Sequence, residues 1–434
     1  MTLRHDDILS TRRMSWRYHY LSFSSLLLIM VWLSIDTGPW VLREEPAGLL
    51  EWLHAIRTVF PIIVLFLATI IGLARWKQAG RVFSAPVRLW LVYGAVGLFA
   101  CLLSPYPIDA AYWAIAYLSV FAAIKLFLQG PDVLGRAVRL NYLSWFIMTV
   151  VLAFLLFAAR HVLFVQTPLG LSGYGYITTM PTIIEMSMSR STGLARFAAI
   201  PGIISFVFLW RGGGRKRLFW LALFVASSIL IYLMQSRGAF FGFCSALAFV
   251  MLFLGRRTRI IGAILLIFFL LFLYSDIIPE PVVENVSAFI LRGQDTDELA
   301  TLTGRTVTWN LGWEEVKESP VFGWGFQADR FLLGQHVHNA YLYALMTSGF
   351  VGGTAFVGGL IWAWLIFLRI LRKRTADRLG QKVFLIQVGG LLAFFTVRSI
   401  PEVSGAMFGI DLMLMVPVMA YLGILNRYTS TSEV

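Results

Sequence analysis

Four stretches carry side chains whose types and spacing could do chemistry. Gln235-Ser236-Arg237-Gly238-Ala239 places one guanidinium in an almost loopless turn between two apolar runs. An arginine costs about 2.5–3.5 kcal/mol or more at the centre of a bilayer, so Arg237 must sit at the membrane surface or face a wet cavity. A snorkelling side chain at a helix end would meet that condition too. Met188-Ser189-Arg190-Ser191-Thr192-Gly193-Leu194-Ala195-Arg196 offers two guanidiniums and several hydroxyls beside a helix start. That set suits a phosphate, or equally a solvated loop with capping hydroxyls.

The third stretch runs from Gly304-Arg305 to Ser319-Pro320. Val307 and Leu311, and Trp309, Trp313 and Val316, recur at helical spacing. The pattern predicts an amphipathic helix near 304–318 with Arg305 in its first turn, where a cation opposes the helix dipole. Trp309 and Trp324, the latter in Phe322-Gly323-Trp324-Gly325-Phe326, could stack on sugar rings or belong to an aromatic belt. The fourth stretch is Gln335-His336-Val337-His338-Asn339-Ala340-Tyr341, at the start of an apolar run. Two histidines two apart diverge on a helix, so a shared metal is not expected, and no HExxH or cysteine cluster supplies further ligands. One of them suits a general base or an anchor for a polar acceptor. Asp295-Thr296-Asp297 imitates a metal–nucleotide-sugar motif but has no strand-rich nucleotide domain around it, and it reads as a solvated loop or helix cap.

The elements that must position these groups are membrane helices. Of 434 residues, 58% are hydrophobic and 14% charged, which excludes an ordinary soluble protein. Apolar runs of roughly 16–22 residues, about the length a bilayer core requires, centre on 20–36, 58–74, 89–104, 109–128, 140–159, 197–210, 218–235, 239–255, 260–278, 350–368, 382–398 and 407–425. Ala340–Phe350 could be a separate helix leading into the tenth. The fold class expected is therefore an all-α polytopic membrane protein with about twelve spans, forming one integral membrane domain over 1–434.

With the N-terminus inside, cytoplasmic segments hold 25 of the 36 basic residues and outer segments hold 18 of the 23 acidic ones. The positive-inside rule then places both ends in the cytoplasm. Basic clusters at 215–217, 256–259 and 372–374 meet anionic lipid, so the net charge of +13 needs no nucleic acid. The first run lacks a small-x-small cleavage site and reads as an uncleaved helix. Cys101 and Cys244 fall in apolar runs, so a structural disulfide is not expected. Two outer loops are large, 160–196 and 279–339, and the chemistry would be assembled between them and the outer helix ends.

Taken together, Ser236-Arg237-Gly238, Gly304-Arg305 with Trp309 downstream, Pro320–Gly325 and His336-x-His338-Asn339-x-Tyr341-Leu342 resemble the O-antigen ligase and polymerase superfamily. The motif similarity covers residues 230–360; elsewhere only the topology agrees. The resemblance implies a GT-C-type membrane fold and a metal-independent, cofactor-free transfer. In that reaction a glycan moves from undecaprenyl diphosphate to an acceptor sugar, such as lipid A-core, on the periplasmic face of the bacterial inner membrane. It maps functional positions onto Arg237, Arg305 and His338, with Arg190 or Arg196 matching an arginine before the sixth span. His336, Asn339, Trp309 and Trp324 are candidates for sugar or acceptor contacts. An Asn-Pro-Asn-like element seen in relatives is replaced here by Phe197-Ala198-Ala199-Ile200-Pro201.

The residues suit that chemistry on their own terms. A reaction outside the inner membrane needs a donor activated in advance, and a lipid diphosphate leaves as a multiply charged anion. Guanidiniums stay charged and bind phosphate oxygens bidentately. A polymerase extending lipid-linked repeats is the alternative within the class. A twelve-span transporter of lipid-linked sugars is the alternative outside it, and would place ionisable residues near the midplane with symmetric halves.

Overall fold

The computed structural model describes residues 23–35, 37–43, 48–74, 83–129, 132–158, 176–178, 188–211, 215–234, 236–273 and 305–431. Segment 1–22, most of the 160–196 loop, and 274–304 with its Asp295-Thr296-Asp297 lie outside them. The apolar runs fold as their hydropathy dictates, into α1 (Phe23–Leu33), α2 (Leu49–Ala74), α3 (Ala85–Ala100), α4 (Pro107–Leu128), α5 (Val133–Ala158), α6 (Ser191–Arg211), α7 (Arg215–Leu233), α8 (Arg237–Leu254) and α9 (Arg256–Leu273). Then come α10 (Arg305–Glu318), α11 (Ala328–Leu333), α12 (Ala340–Lys373), α13 (Thr375–Arg378), α14 (Lys382–Arg398) and α15 (Ile410–Thr431). Two three-residue strands, β1 (Tyr176–Thr178) and β2 (Met188–Arg190), pair antiparallel just before α6.

A helix stands at each of the twelve expected runs. Nine of them, α2 to α8, α12 and α15, are long and apolar enough to cross a membrane among the described residues. The described parts of the other three fall short of that length or composition. α1 is described over 11 residues and α14 over 17. α9 opens on Arg256, Arg257 and Arg259, which dilute its apolar stretch.

α15 forms the centre: every residue from Asp411 to Leu425 is buried, as expected of a helix apolar all round. By contrast α7 presents Leu218, Phe219, Leu221, Val225 and Ile229 outward, a surface suited to lipid. α3 lies against α12 and locks onto it through Trp90. Its indole stacks on Phe356 at 4.9 Å and donates to the Phe356 carbonyl at 2.9 Å. Gly359 permits this approach, since a Cβ there would fall 2.5 Å from the Trp90 ring. Tyr93 on α3 donates to the carbonyl of Ala406 at 2.6 Å. That bond fixes the loop between α14 and α15.

α12 is broken at Ser348 and Gly349, whose backbone leaves the helical region. The segment 320–325 repairs the break. Phe350 N–H donates to Pro320 C=O at 2.7 Å and Val351 N–H to Val321 C=O at 3.3 Å. Trp324 N–H and Gly325 N–H donate to the Met346 and Thr347 carbonyls at 2.8 and 2.9 Å. Broken helix backbone within a membrane protein persists only where protein re-satisfies it in this way. Gly349 has φ +57°, and a Cβ on it would lie 2.2 Å from the Val321 oxygen. Only glycine fits.

The expected helix is present as α10, described from Arg305 on, and its residues divide between two faces. Thr308, Gly312 and Val316 face inward, whereas Val307, Leu311 and Trp313 are exposed. Gly312 decides the orientation: with no side chain it lets α12 approach, so that a Cβ would meet Met346 Sδ at 3.1 Å and Leu342 at 3.2 Å.

Candidate functional site

The starts of α6, α8, α12 and α15 and the end of α14 share one end of the bundle, because the helices alternate in direction. The start of α10 joins them. Most of the polar groups singled out above gather there around the loop 399–409.

Arg237 is the first residue of α8 and Arg305 the first of α10. A helix N-terminus attracts anions and repels cations, so neither placement serves helix stability. The two guanidiniums are close enough to feel each other's charge. Arg305 donates to the Pro401 carbonyl and its Nη2 lies 3.5 Å from Glu402 Oε1. Beside Arg237, a Cβ on Gly238 would lie 3.2 Å from Pro401 Cγ and 3.9 Å from Glu402 Cγ. The glycine of Ser236-Arg237-Gly238 therefore makes room for the Pro401-Glu402 turn.

His338 approaches Glu402 from the stretch just before α12. Its Nδ1 is 3.3 Å from Glu402 Oε2. The histidines are not on a helix, as the sequence pattern had suggested. They lie in an irregular stretch that ends at Asn339, the N-cap of α12, and their rings come within 5.7 Å edge to face. His338 adopts φ +47°, a left-handed conformation that costs a non-glycine residue about 1–2 kcal/mol. Its neighbours hold it there. The Asn339 side-chain oxygen accepts from the Tyr341 and Leu342 N–H groups, and Ala340 N–H donates to Ser399 C=O at 2.9 Å.

His336 is fastened differently. Its Nδ1 pairs with Asp329 Oδ2 at 2.9 Å, and Arg330 Nε donates to its Nε2 at 3.0 Å. Asp329 is fully buried and also accepts from the backbone of Arg330 and Val337. With both ring nitrogens engaged inside the protein, His336 braces the stretch that leads to His338. Among the described residues no three His, Cys, Asp or Glu side chains gather to hold a metal ion.

Sequence reading missed three further charged groups. Arg398 closes α14 and Asp411 opens α15, both nearly buried. Asp411 takes Arg196 from α6 on one oxygen at 3.1 Å and Arg398 on the other, with Ser404 also accepting from Arg398. Glu402 completes the set. Burial pushes its carboxyl up, but the hydrogen bond from His338 and the charges of Arg398, His338 and Arg305 outweigh burial and hold it down at about 2. The only signal in the sequence was that Arg398, Glu402 and Asp411 are charged residues at the rim of apolar runs.

These groups wall a cleft of about 150 Å³ lined by Arg196, His336, His338, Arg398, Glu402 and Asp411. Arg237 and Arg305 do not line it; Arg305 binds the Pro401-Glu402 turn, and Gly238, next to Arg237, packs against that turn. Among the described residues, Arg196 and Arg398 pair with Asp411 and Arg305 pairs with Glu402, with Arg237 near Arg305. The tryptophans take structural partners: Trp309 donates to Val337 C=O at 2.7 Å and Trp324 to Glu315 C=O at 2.9 Å. Of Arg190 only the backbone, at the end of β2, is described.

The fold and the site thus define a multi-helix membrane protein with a cleft of arginines, histidines and carboxylates at one end of its helices. Residues 222–357 match the family described as O-antigen ligase, and the resemblance to the O-antigen ligase and polymerase superfamily is shown through that stretch. A relative, the exopolysaccharide production protein ExoQ of Rhizobium meliloti (strain 1021), is 31% identical over 122 residues, covering 24% of this chain. The chain spans about a quarter, 27%, of that relative's length. The family match contains Arg237, Arg305, His336 and His338. Arg196 precedes it, and Arg398, Glu402 and Asp411 follow it.

Proposed function

We propose that this chain is an O-antigen ligase-type glycosyltransferase. It would move a glycan from undecaprenyl diphosphate to a hydroxyl of an acceptor sugar, lipid A-core, without a metal or other cofactor. The observation that carries the reading is the convergence of Arg196, Arg305, Arg398 and His338 on two carboxylates at one end of the bundle, with Arg237 adjoining. Support also comes from the family match over the stretch that holds Arg237, Arg305 and His338. In this reading the helices make twelve spans of a GT-C-type fold, both termini are cytoplasmic, and the cleft opens to the periplasmic face of the inner membrane. The excess of basic residues at the opposite helix ends supports that orientation.

The transfer is a single displacement. His338 takes the proton of the acceptor hydroxyl, whose oxygen attacks the anomeric carbon. The bond from that carbon to the diphosphate oxygen breaks, and its electron pair leaves with the lipid diphosphate. Arg237 and Arg305, with Arg196 or Arg190, bind that anion and stabilise the charge that grows on it. His336, Asn339, Trp309 and Trp324 would shape the acceptor side mainly by holding the 336–339 stretch and α10 in place.

A second reading, polymerisation of lipid-linked repeats, is favoured by one observation, the likeness to an exopolysaccharide production protein. Deleting the gene and resolving lipopolysaccharide on gels tests both. Loss of every O-chain band with long carrier-linked glycan accumulating supports ligation. Products capped at one repeat support polymerisation, and unchanged lipopolysaccharide with loss of a secreted polysaccharide supports its exopolysaccharide form. Transport of lipid-linked sugar draws less support, because Arg196, Arg398 and Asp411 sit at helix ends rather than at mid-helix.

A further inference from the structure

We propose that Glu402 is the positioning residue of the transfer reaction, its two carboxylate oxygens holding His338 and Arg305 in a fixed relation. The inference rests on the function proposed above and assigns a residue that lies 45 positions beyond the end of the family match at residue 357.

Glu402 stands where five elements meet. Arg305 of α10 reaches one oxygen and His338, entering α12, reaches the other. Gly238 of α8 packs against Pro401 and Glu402, α14 leads into the loop, and α3 secures its far side through Tyr93 and Trp90, the latter against Gly405. A merely structural ion pair would explain the contacts only if the loop needed it. The loop is already held by the bond from Arg305 to the Pro401 carbonyl, by Ser399 accepting from Ala340, and by Ala406 accepting from Tyr93. Glu402 moreover keeps about 20% of its side chain exposed in the cleft, where a purely stabilising pair gains least.

The chemistry follows from donor and acceptor roles. A carboxylate only accepts, so the neutral His338 ring carries its proton on Nδ1, and Nε2 holds the lone pair. The acceptor hydroxyl gives its proton to Nε2 as its oxygen bonds to the anomeric carbon. The resulting imidazolium is stabilised by Glu402, while the departing diphosphate oxygen keeps the electron pair of the broken bond beside Arg305. One carboxylate thus sets the distance between the proton acceptor and the leaving-group clamp.

The test uses the full-length protein in lipid vesicles with a polyprenyl-diphosphate glycan donor and an oligosaccharide acceptor. Glu402→Gln should lower kcat about a hundredfold with the donor KM little changed, a size typical of residues that orient a reactive group. Glu402→Asp should recover part of the loss. In a His338→Ala background, Glu402→Gln should cost less than about threefold more, since the two act as a unit. Three results overturn the proposal: kcat within about threefold of wild type in Glu402→Gln, full multiplication of the two losses, or kcat, donor binding and thermal stability falling together in both variants. If wild-type protein transfers no glycan, the functional reading fails, and the pairing is still read without substrate. Diethyl pyrocarbonate should label His338 several-fold more slowly in Glu402→Gln, because the Gln amide can donate to Nδ1 and move the ring proton onto Nε2, while His54 labels unchanged. Equal rates at His338 overturn the proposal.

Discussion

Arg196 and Asp411 stand 215 positions apart in the chain and 3.1 Å apart in space. The same carboxylate, on α15, also holds Arg398, so one buried acid pairs with two guanidiniums, one from α6 and one from α14. Removing it leaves both cations in a low-dielectric site. Asp411→Asn should therefore destabilise the protein by about 3–5 kcal/mol, the usual cost of breaking a buried pair from one side. A thermal scan of detergent-solubilised protein reads this as a marked fall in Tm. An unchanged Tm would show that Asp411 is not the counter-charge.

His338→Ala should reduce glycan transfer by about 10²–10⁴-fold, the span typical of a lost general base. For Arg305→Ala the loss should be of similar size. One charge pair near 4 Å at an effective dielectric of 20 is worth about 4 kcal/mol, or roughly a thousandfold in rate if it is felt only in the transition state. Arg305→Lys keeps the charge but not the fork that grips two oxygens, and should recover only part of the rate. Initial rates on a lipid-diphosphate donor check all three. Wild-type turnover in His338→Ala and Arg237→Ala would end the proposed mechanism.

Acid should weaken the site through Glu402. Its carboxyl is held at about 2 in the folded protein against an ordinary value of 4.5. The folded state thus resists protonation more than the unfolded chain does, and the stabilisation is complete above about pH 4.5 and lost as pH falls towards 2. Glu402→Gln should flatten this part of the stability curve. Unfolding midpoints measured over that window in both proteins decide it, and identical slopes would remove Glu402 as the responsible group.

The splice across α12 predicts unequal costs for two glycine substitutions that look alike in sequence. Gly349 and Gly380 both have positive φ, but a Cβ on Gly349 would run into Val321 backbone whereas Gly380 has open space around it. Gly380→Ala should cost about 1–2 kcal/mol from backbone strain alone. Gly349→Ala adds overpacking and should cost about 2–5 kcal/mol in total. Comparing the two Tm values checks the difference.

Local patterns in the sequence announced the helices and the arginines at the starts of α8 and α10, and put His338 near the start of α12, though on the helix rather than before it. Hydropathy and capping residues act over a few positions, and those signals survive without tertiary structure. The break at Ser348–Gly349 was legible too, since Ala340–Phe350 read as a separate helix leading into the tenth run. The contact that α10 makes with α12 was not legible, because a glycine, Gly312, makes it and carries no hydropathy signal. Glu402, Arg398 and Asp411 acquire meaning only from partners brought near by folding, such as His338, 64 positions from Glu402. No short-range pattern can report such a meeting.

The seam between 320–325 and the broken helix also limits how such a chain can lengthen over evolution. Its four backbone bonds interlock by register, so one inserted amino acid on either side would misalign them all. The exposed turn at Gly380 is spanned only by local bonds, Gln381 N–H to Ala376 C=O and Lys382 to Asp377, and length changes or reporter fusions there would disturb only a short connection. Divergent homologues should accordingly vary in size around that hinge while keeping the seam invariant in length.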